Sequence, residues 1–442
     1  YWNARGGSAA DGGAFLFTVK DAGRGDGSKA LVCTNKFGTP VRTPEGQTHF
    51  RPSIALRAAD NGNDISAAVA SGLAAADTSD LKEYGTIHLP RWDYAALVHF
   101  CRELVDQGTK SDAAKIKAIE VLTFLNDRRL ATGAKKRSST LQIVRDNLTA
   151  LFRSVPKINA NGSSIYRQVD WSTRDALRSP QEPEKILVVN AREFPPEGDT
   201  CDARLICEAH IMGWRQFLCY GYKGQRFTGC GLLSNTDGVR IDVYDSSGDY
   251  LASGIDGLEI HVHGNAQDQL GQIMKRGKLV IYGDVGQTFM YGAKGGDVYI
   301  LGHAAGRPLI NAVGCPRVVI NGTCLDFLAE SFMAGDPLNG GGFVVLNGFE
   351  FDPNGTIVAR ERPYPGSNLF SLASGGAIYL RDPHKTAVEG QLNGGEFVDL
   401  TPADWELILP YLEENERLFG ISINNDILRV DGEKKDYRSV YR

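Results

Sequence analysis

The sequence predicts a mostly β protein. A right-handed parallel β-helix over residues 186–442, capped by C-terminal helices, follows a linker at 156–185 and a smaller α+β N-terminal domain at 1–155. Three observations carry that prediction. Glycine is in excess, at 51 of 442 residues against an ordinary share of about 7%, and 36 of the 51 fall from residue 186 onward. An apolar-x-apolar triplet recurs through the same region at nearly constant spacing. Apolar stripes of helical period mark residues 93–155 and the stretch after Thr401.

In the N-terminal domain, residues 14–19 and 30–34 are apolar or β-branched runs flanking a glycine-rich turn at 23–27, so residues 1–62 read as short strands. Helix begins at Asp93, a good N-cap. Leu97, Phe100, Cys101, Leu104 and Val105 then share one face, and Gly108 ends the run. Ile116, Ile119, Leu122 and Leu125 form a second stripe, and Leu141, Val144, Leu148, Leu151 and Phe152 a third. The basic triplet Lys135-Lys136-Arg137 between them reads as a solvated loop. Pro156, Pro180 and Pro183 mark 156–185 as a linker or extended arm, followed by a strand at 186–190 and a short helix at 204–212.

From Gly213 the triplets align as Val239-x-Ile241, Leu258-x-Ile260, Leu279-x-Ile281, Val298-x-Ile300, Val318-x-Ile320, Val344-x-Leu346 and Ile378-x-Leu380. A lap of about 20 residues with one strand and no helical stripe fits neither a leucine-rich repeat nor a propeller blade. It fits coils stacked strand on strand, with Ile260, Ile281, Ile300, Ile320 and Leu346 as one inward column. The repeated pairs Asn321-Gly322 and Asn347-Gly348 suggest a stacked turn. Thr401-Pro402-Ala403-Asp404 starts a helix whose Trp405, Ile408, Leu412 and Phe419 would cover the stack, with Pro410 kinking or splitting it.

Composition excludes several functions. Lys+Arg 48 against Asp+Glu 53 gives a net charge of -5, without the basic excess that nucleic acid demands. No apolar run reaches the length of a membrane span. The eight cysteines, Cys33, Cys101, Cys201, Cys207, Cys219, Cys230, Cys315 and Cys324, form no CxxC, so they read as reduced thiols of a cytoplasmic protein rather than zinc or iron-sulfur ligands. His261 and His263 share one outward face. With no third ligand near in sequence they read as a polar outer face or a subunit contact. Asp237, Asp242, Asp245, Asp249 and Asp256 resemble a calcium cluster in number, yet sit where turns favour Asp. Gly229-Cys230-Gly231 and residues 292–296 lack the following helix that a phosphate loop needs.

The stretch Gly264-Asn265-Ala266-Gln267-Asp268, Gly271, Gly277-Lys278-Leu279-Val280-Ile281, Gly283, Phe289-Met290-Tyr291-Gly292-Ala293-Lys294-Gly295-Gly296, Gly302, Ala305-Gly306-Arg307 and Gly314 resembles the GXGXG domain, the C-terminal β-helix of the glutamate synthase large subunit. Gly322, Met333-Ala334-Gly335, Gly348, Ser374-Gly375-Gly376 and Lys434-Lys435-Asp436-Tyr437-Arg438 continue the match. The insertion at 335–342 and Arg307-Pro308 depart from it. The chain is similar to the split, archaeal-type form of that domain, and less closely to the β-helix subunit of formylmethanofuran dehydrogenase, whose tungsten or molybdenum complex is the alternative setting. The resemblance implies a scaffold with no catalytic, cofactor or metal residues of its own. Its structural turns would be Gly264, Gly271, Gly283, Gly292, Gly295, Gly296, Gly302, Gly306, Gly322, Gly348, Gly375 and Gly376. FMN and iron-sulfur clusters would belong to partners: a synthase-like subunit, with amidotransferase and flavin reductase subunits. Arg5-Gly6-Gly7 and residues 10–17 faintly resemble a class II glutamine amidotransferase, but Tyr1 stands where that family has its nucleophilic cysteine.

Overall fold

A computed structural model describes residues 16–21, 29–34, 39–42, 49–50, 62–352 and 354–442. Strands β1 (Leu16–Asp21) and β2 (Lys29–Thr34) pair antiparallel, and β3 (His49–Phe50) joins β2. Tyr1 and most of the amidotransferase-like stretch lie outside the described residues. Five helices follow: α1 (Gly62–Ala74), α2 (Ser79–His88), α3 (Tyr94–Gly108), α4 (Asp112–Asp127) and α5 (Arg137–Arg153). The Asp93 carboxylate caps α3 by accepting from the Ala96 amide at 2.8 Å, and Ser111 caps α4 in the same way. The sequence reading missed α1 and α2. The stripe Ile65, Val69 and Leu73 of α1 is buried, but alanines surround it and blur its period. α2 holds an internal glycine, Gly85, whose missing side chain lets Leu125 of α4 pack against it.

Helix-rich content corrects the expectation of a mostly β chain: 31% is helix and 19% strand. Three smaller readings also change. Ile116 is 44% exposed rather than part of the core stripe. Lys135 is buried, donating from Nζ to the Trp92 carbonyl at 2.5 Å and to that of Leu89 at 2.6 Å, so this member of the basic triplet ties the α2–α3 corner down, while Lys136 lies in solvent. Residues 156–185 are no free linker, because β4 (Tyr166–Val169) forms one edge of the main sheet.

That sheet has ten parallel strands. After β4 come β5 (Ile186–Asn190), helix α6 (Asp202–Ile211), β6 (Gln216–Tyr220), β7 (Arg240–Val243), β8 (Asp256–Val262), β9 (Arg276–Ile281), β10 (Asp297–Ile300), β11 (Arg317–Ile320) and β12 (Phe343–Leu346). A small hairpin, β13 (Phe349–Phe351) with β14 (Ile357–Ala359), precedes β15 (Ala377–Leu380), and spatial order follows chain order throughout. One column runs Val243, Val262, Ile281, Ile300, Ile320, Leu346, Leu380, at steps of 19, 19, 19, 20, 26 and 34 residues. The expected column placed Ile260 opposite Ile281, but Ile260 pairs with Leu279. That slip is two residues, which preserves the inward face, so alternation alone could not detect it. Midway along the laps a second parallel contact recurs, Ser247 to Ala266 to Val285 to Ala304.

One face of the sheet packs on its own connections, burying residues such as Ile241, Ile260, Phe289 and Phe332, each worth about 1.5–3 kcal/mol of transfer free energy. The other face is covered twice. Over the early strands the N-terminal helices pack on Tyr166, Val188, Tyr220 and Tyr244. Over the later strands helix α7 (Pro402–Phe419) packs on Val319, Phe343 and Val345. α7 opens with a reciprocal Thr401–Asp404 capping box and is continuous through Pro410. Pro410 is exposed, so the hydrogen bond it removes leaves a carbonyl that water can satisfy. Both sheet edges are occupied: residues 156–158 bond Gln168 on β4, and Arg442 pairs with Leu380 on β15. Neither offers a free template for aggregation.

The asparagine pair on successive laps does stack, and it locks α7 in place. Asn347 Nδ2 donates to Asn321 Oδ1 at 2.9 Å, while Asn321 and Asn415 of α7 exchange two hydrogen bonds at 2.8 and 2.9 Å. All three are fully buried. Asn415→Ala leaves one buried Asn321 amide hydrogen without an acceptor, while the bonds to Asn347 and the Ile300 carbonyl remain, so a loss of about 2 kcal/mol is expected in a denaturant titration; an unchanged midpoint would show that the stack is not needed.

Candidate functional site

Where the N-terminal helices meet the sheet, β7 and β8 present a polar row outward: Arg240 and Asp242 from one, Glu259, His261 and His263 from the other and the turn after it. α4 ends over this row, with Asp127 as its last residue. His263 Nδ1 lies 2.8 Å from Asp127 Oδ2 and its Nε2 lies 3.2 Å from Asp242 Oδ1. The ring stacks on Tyr244 and Tyr282, at centroid distances of 4.2 and 5.2 Å. Burial acts to lower the His263 pKa, but the charge and hydrogen bond of Asp127 and the bond to Asp242 outweigh it and push it up to about 9. Burial acts the other way on Asp242, yet bonds from Arg240 and His263 hold it well below the usual carboxylate range.

Placed between two carboxylates, His263 is held toward the imidazolium form, in which both nitrogens donate and neither keeps a lone pair for a proton or a metal. Its charge also offsets the unfavourable placement of an acid at a helix C-terminus. His261 is buried as well and contacts Glu259 at 2.5 Å. The polar-surface reading of the pair is thus corrected: both rings are covered by this chain's own elements. Among the described residues no group of three or more His, Cys, Asp or Glu side chains is placed to hold a metal ion. Beside the row a cavity of about 670 Å³ opens between α4 and β4–β9, with Arg240, Asp242, Tyr244, His263 and Tyr282 in its lining.

The acids that resembled a calcium cluster are dispersed. Asp237 and Asp256 pair with Arg276, Asp249 with Arg226, and Asp245 accepts from the Gly221 amide. Asp242 lies within a strand, not in a turn. All eight thiols are free. What sequence reasoning missed was Asp127, whose role needs a contact 136 residues away. The available signal was the alternation of charges, Arg240-x-Asp242 and Glu259-x-His261-x-His263, on the face that solvent was expected to occupy.

The glycines fall into groups. Gly264, Gly283, Gly302 and Gly322 occupy equivalent places on successive laps, and a methyl group there would lie 2.6, 2.7, 2.8 and 2.5 Å from the carbonyl oxygen of the lap before. The same turn carries a side-chain ladder: Asn265 accepts from the Asp284 amide, Asp284 from that of His303, and His303 from that of Thr323. Gly295 and Gly375 also lie against backbone, while Gly271, Gly292, Gly296, Gly348 and Gly376 hold left-handed φ. Gly306 has space around it.

Asp202, the first residue of α6, is fully buried, and its carboxylate has only weak polar neighbours, the Tyr222 hydroxyl and the first amides of its own helix, to set against that burial. Burial pushes its pKa up to about 7 from an ordinary 3.8. The folded state therefore holds a proton that the unfolded chain has released, and stability falls as pH rises from about 4 to about 7. Asp202→Asn is expected to be more stable than the parent at pH 8 by roughly 1–3 kcal/mol, with the advantage vanishing near pH 4. Equal denaturation midpoints at pH 8 would contradict this.

Together these features define a parallel-strand repeat domain braced on its outer face by two sets of helices. The family model described as the GXGXG motif matches residues 221–441, half of the chain, and the chain belongs to that family, which is the family of the glutamate synthase C-terminal domain. No curated protein and no solved structure matches it. Among the described residues no helix is long and apolar enough to cross a membrane.

Proposed function

We propose that this chain is a non-catalytic scaffold subunit of a glutamate-synthase-like oxidoreductase, a split form of the GXGXG domain wound as a right-handed parallel β-helix, which positions flavin and iron-sulfur subunits in the cytoplasm. The observation that carries the reading is the doubly bonded His263. This buried ionic arrangement holds a charge between two layers, which suits a brace and not a proton relay. The ten-stranded ladder supports it, since at about 4.8 Å per strand such a ladder forms a rigid body roughly 40 Å long, a useful spacer between redox centres. FMN and clusters belong to the partner subunits in this reading, and the chain supplies surface and spacing. Mass spectrometry of the subunits that co-purify with the native chain tests it. An FMN-binding synthase-like partner is the expected result; a pterin-metal subunit would move the scaffold to the formylmethanofuran type of complex and overturn the glutamate-synthase assignment.

A further inference from the structure

Arg145 of α5, Arg192 just beyond β5 and Lys223 in the loop after β6 line one cavity of about 490 Å³, together with Asp245, Ser246 and Gln267. Three separate elements thus bring three cations to one place. Arg145 is anchored: its Nε donates to Asn126 Oδ1 at 2.8 Å, and Asn126 in turn donates to Asp127 and to the His263 carbonyl. Among the described residues its terminal nitrogens make no hydrogen bond, and none of the three cations lies within salt-bridge distance of a carboxylate, although Arg145 and Arg192 both attract the Asp245 carboxylate of the lining. Around Arg145 lie Arg129 and Arg137, each with a buried Nε that has no partner. Burial, and then repulsion from Arg129 and Arg145, draws the Arg137 pKa down to about 10. The one carboxylate in the lining, Asp245, already accepts from the Gly221 amide at 2.9 Å.

Arg192 and Lys223 are exposed and Arg145 is half-buried, so the three charges converge on one open pocket, where a single anion can reach all of them. We propose that this cavity binds a small phosphate-bearing molecule, with the anchored Arg145 guanidinium as a two-pronged donor and Arg192 and Lys223 closing on the same group. A phosphate dianion matches the excess of charge, and a planar guanidinium matches two of its oxygens. Ser246 and Gln267 are left to meet the uncharged part of the molecule, and the volume suits a small ligand. Because Arg145 is bonded through Asn126 to Asp127, occupancy would also steady the brace at His263.

Calorimetric titration of the full chain tests the assignment, using inorganic phosphate and ribose 5-phosphate as probes against chloride at matched ionic strength. Saturable binding of at least one probe is expected, weakened at least tenfold in the double variant R192Q/K223Q. Both of those side chains are exposed, so the variant should fold, and thermal unfolding without ligand would verify that. R145K, which keeps charge and loses the fork, should weaken binding as well. Equal affinity for the two probes would assign recognition to the phosphate alone; tighter binding of the sugar phosphate would place the sugar in the cavity too. No saturable heat with either probe, or undiminished binding in the double variant, would overturn the proposal.

Discussion

Gly283→Ala is expected to destabilise the protein by about 3 kcal/mol or more, as overpacking against an unyielding neighbour does. The added methyl would collide with Asn265 Oδ1 and lie 2.7 Å from the Gly264 carbonyl oxygen. Neither can retreat. The Asn265 oxygen is fixed by the Asp284 amide, and the Gly264 carbonyl belongs to a lap held by parallel pairing on both sides. Gly306→Ala is the matched control, since the nearest atom to its methyl would be 3.7 Å away, and it should change stability by less than about 0.5 kcal/mol. Thermal or denaturant unfolding of the two variants side by side separates the alternatives. Equal effects would mean that the glycine column is not set by close approach of the laps.

His263→Ala should cost about 3–5 kcal/mol, because it leaves Asp127 and Asp242 buried and facing each other without the cation between them. The pH dependence gives the effect a signature. The folded pKa of about 9 exceeds the ordinary 6.5, so the contribution of this group is complete below about pH 6.5 and declines as pH rises through 9. The parent should therefore lose stability across that window, while the variant, already without the imidazolium, should show a flatter profile. A parent profile that is flat from pH 6.5 to 9 would contradict a charged His263. Asp127→Asn should reduce the slope, since it removes the larger of the two carboxylate contributions.

Much of the architecture was legible because the repeat writes its period into the chain. Apolar triplets fixed the strands, and the Thr401-Pro402-Ala403-Asp404 signal fixed the start of α7. The register was off by one pair of residues between β8 and β9. β8 offers both Leu258-x-Ile260 and Ile260-x-Val262 to the same face, and the choice depends on a bulge near Asp256 that only the neighbouring strand reveals. α1 was obscured by its alanines, and β4 by the prolines on either side of it. The candidate site was the least legible part. A charged outer row on a strand ordinarily faces water, and nothing local announces that Asp127 of a distant helix will cover it. The same limit explains the reading of Lys135 as solvated, for its partners are backbone carbonyls more than forty residues away.

The scaffold role is tested most directly by dissociating the native assembly and measuring flavin, iron and turnover in each separated subunit. The account predicts that flavin, iron and any half-reaction travel with the partner subunits, while this chain is colourless and inert, and that full activity returns only when it is added back. Turnover by this chain alone, or full activity of the partners without it, would contradict the account.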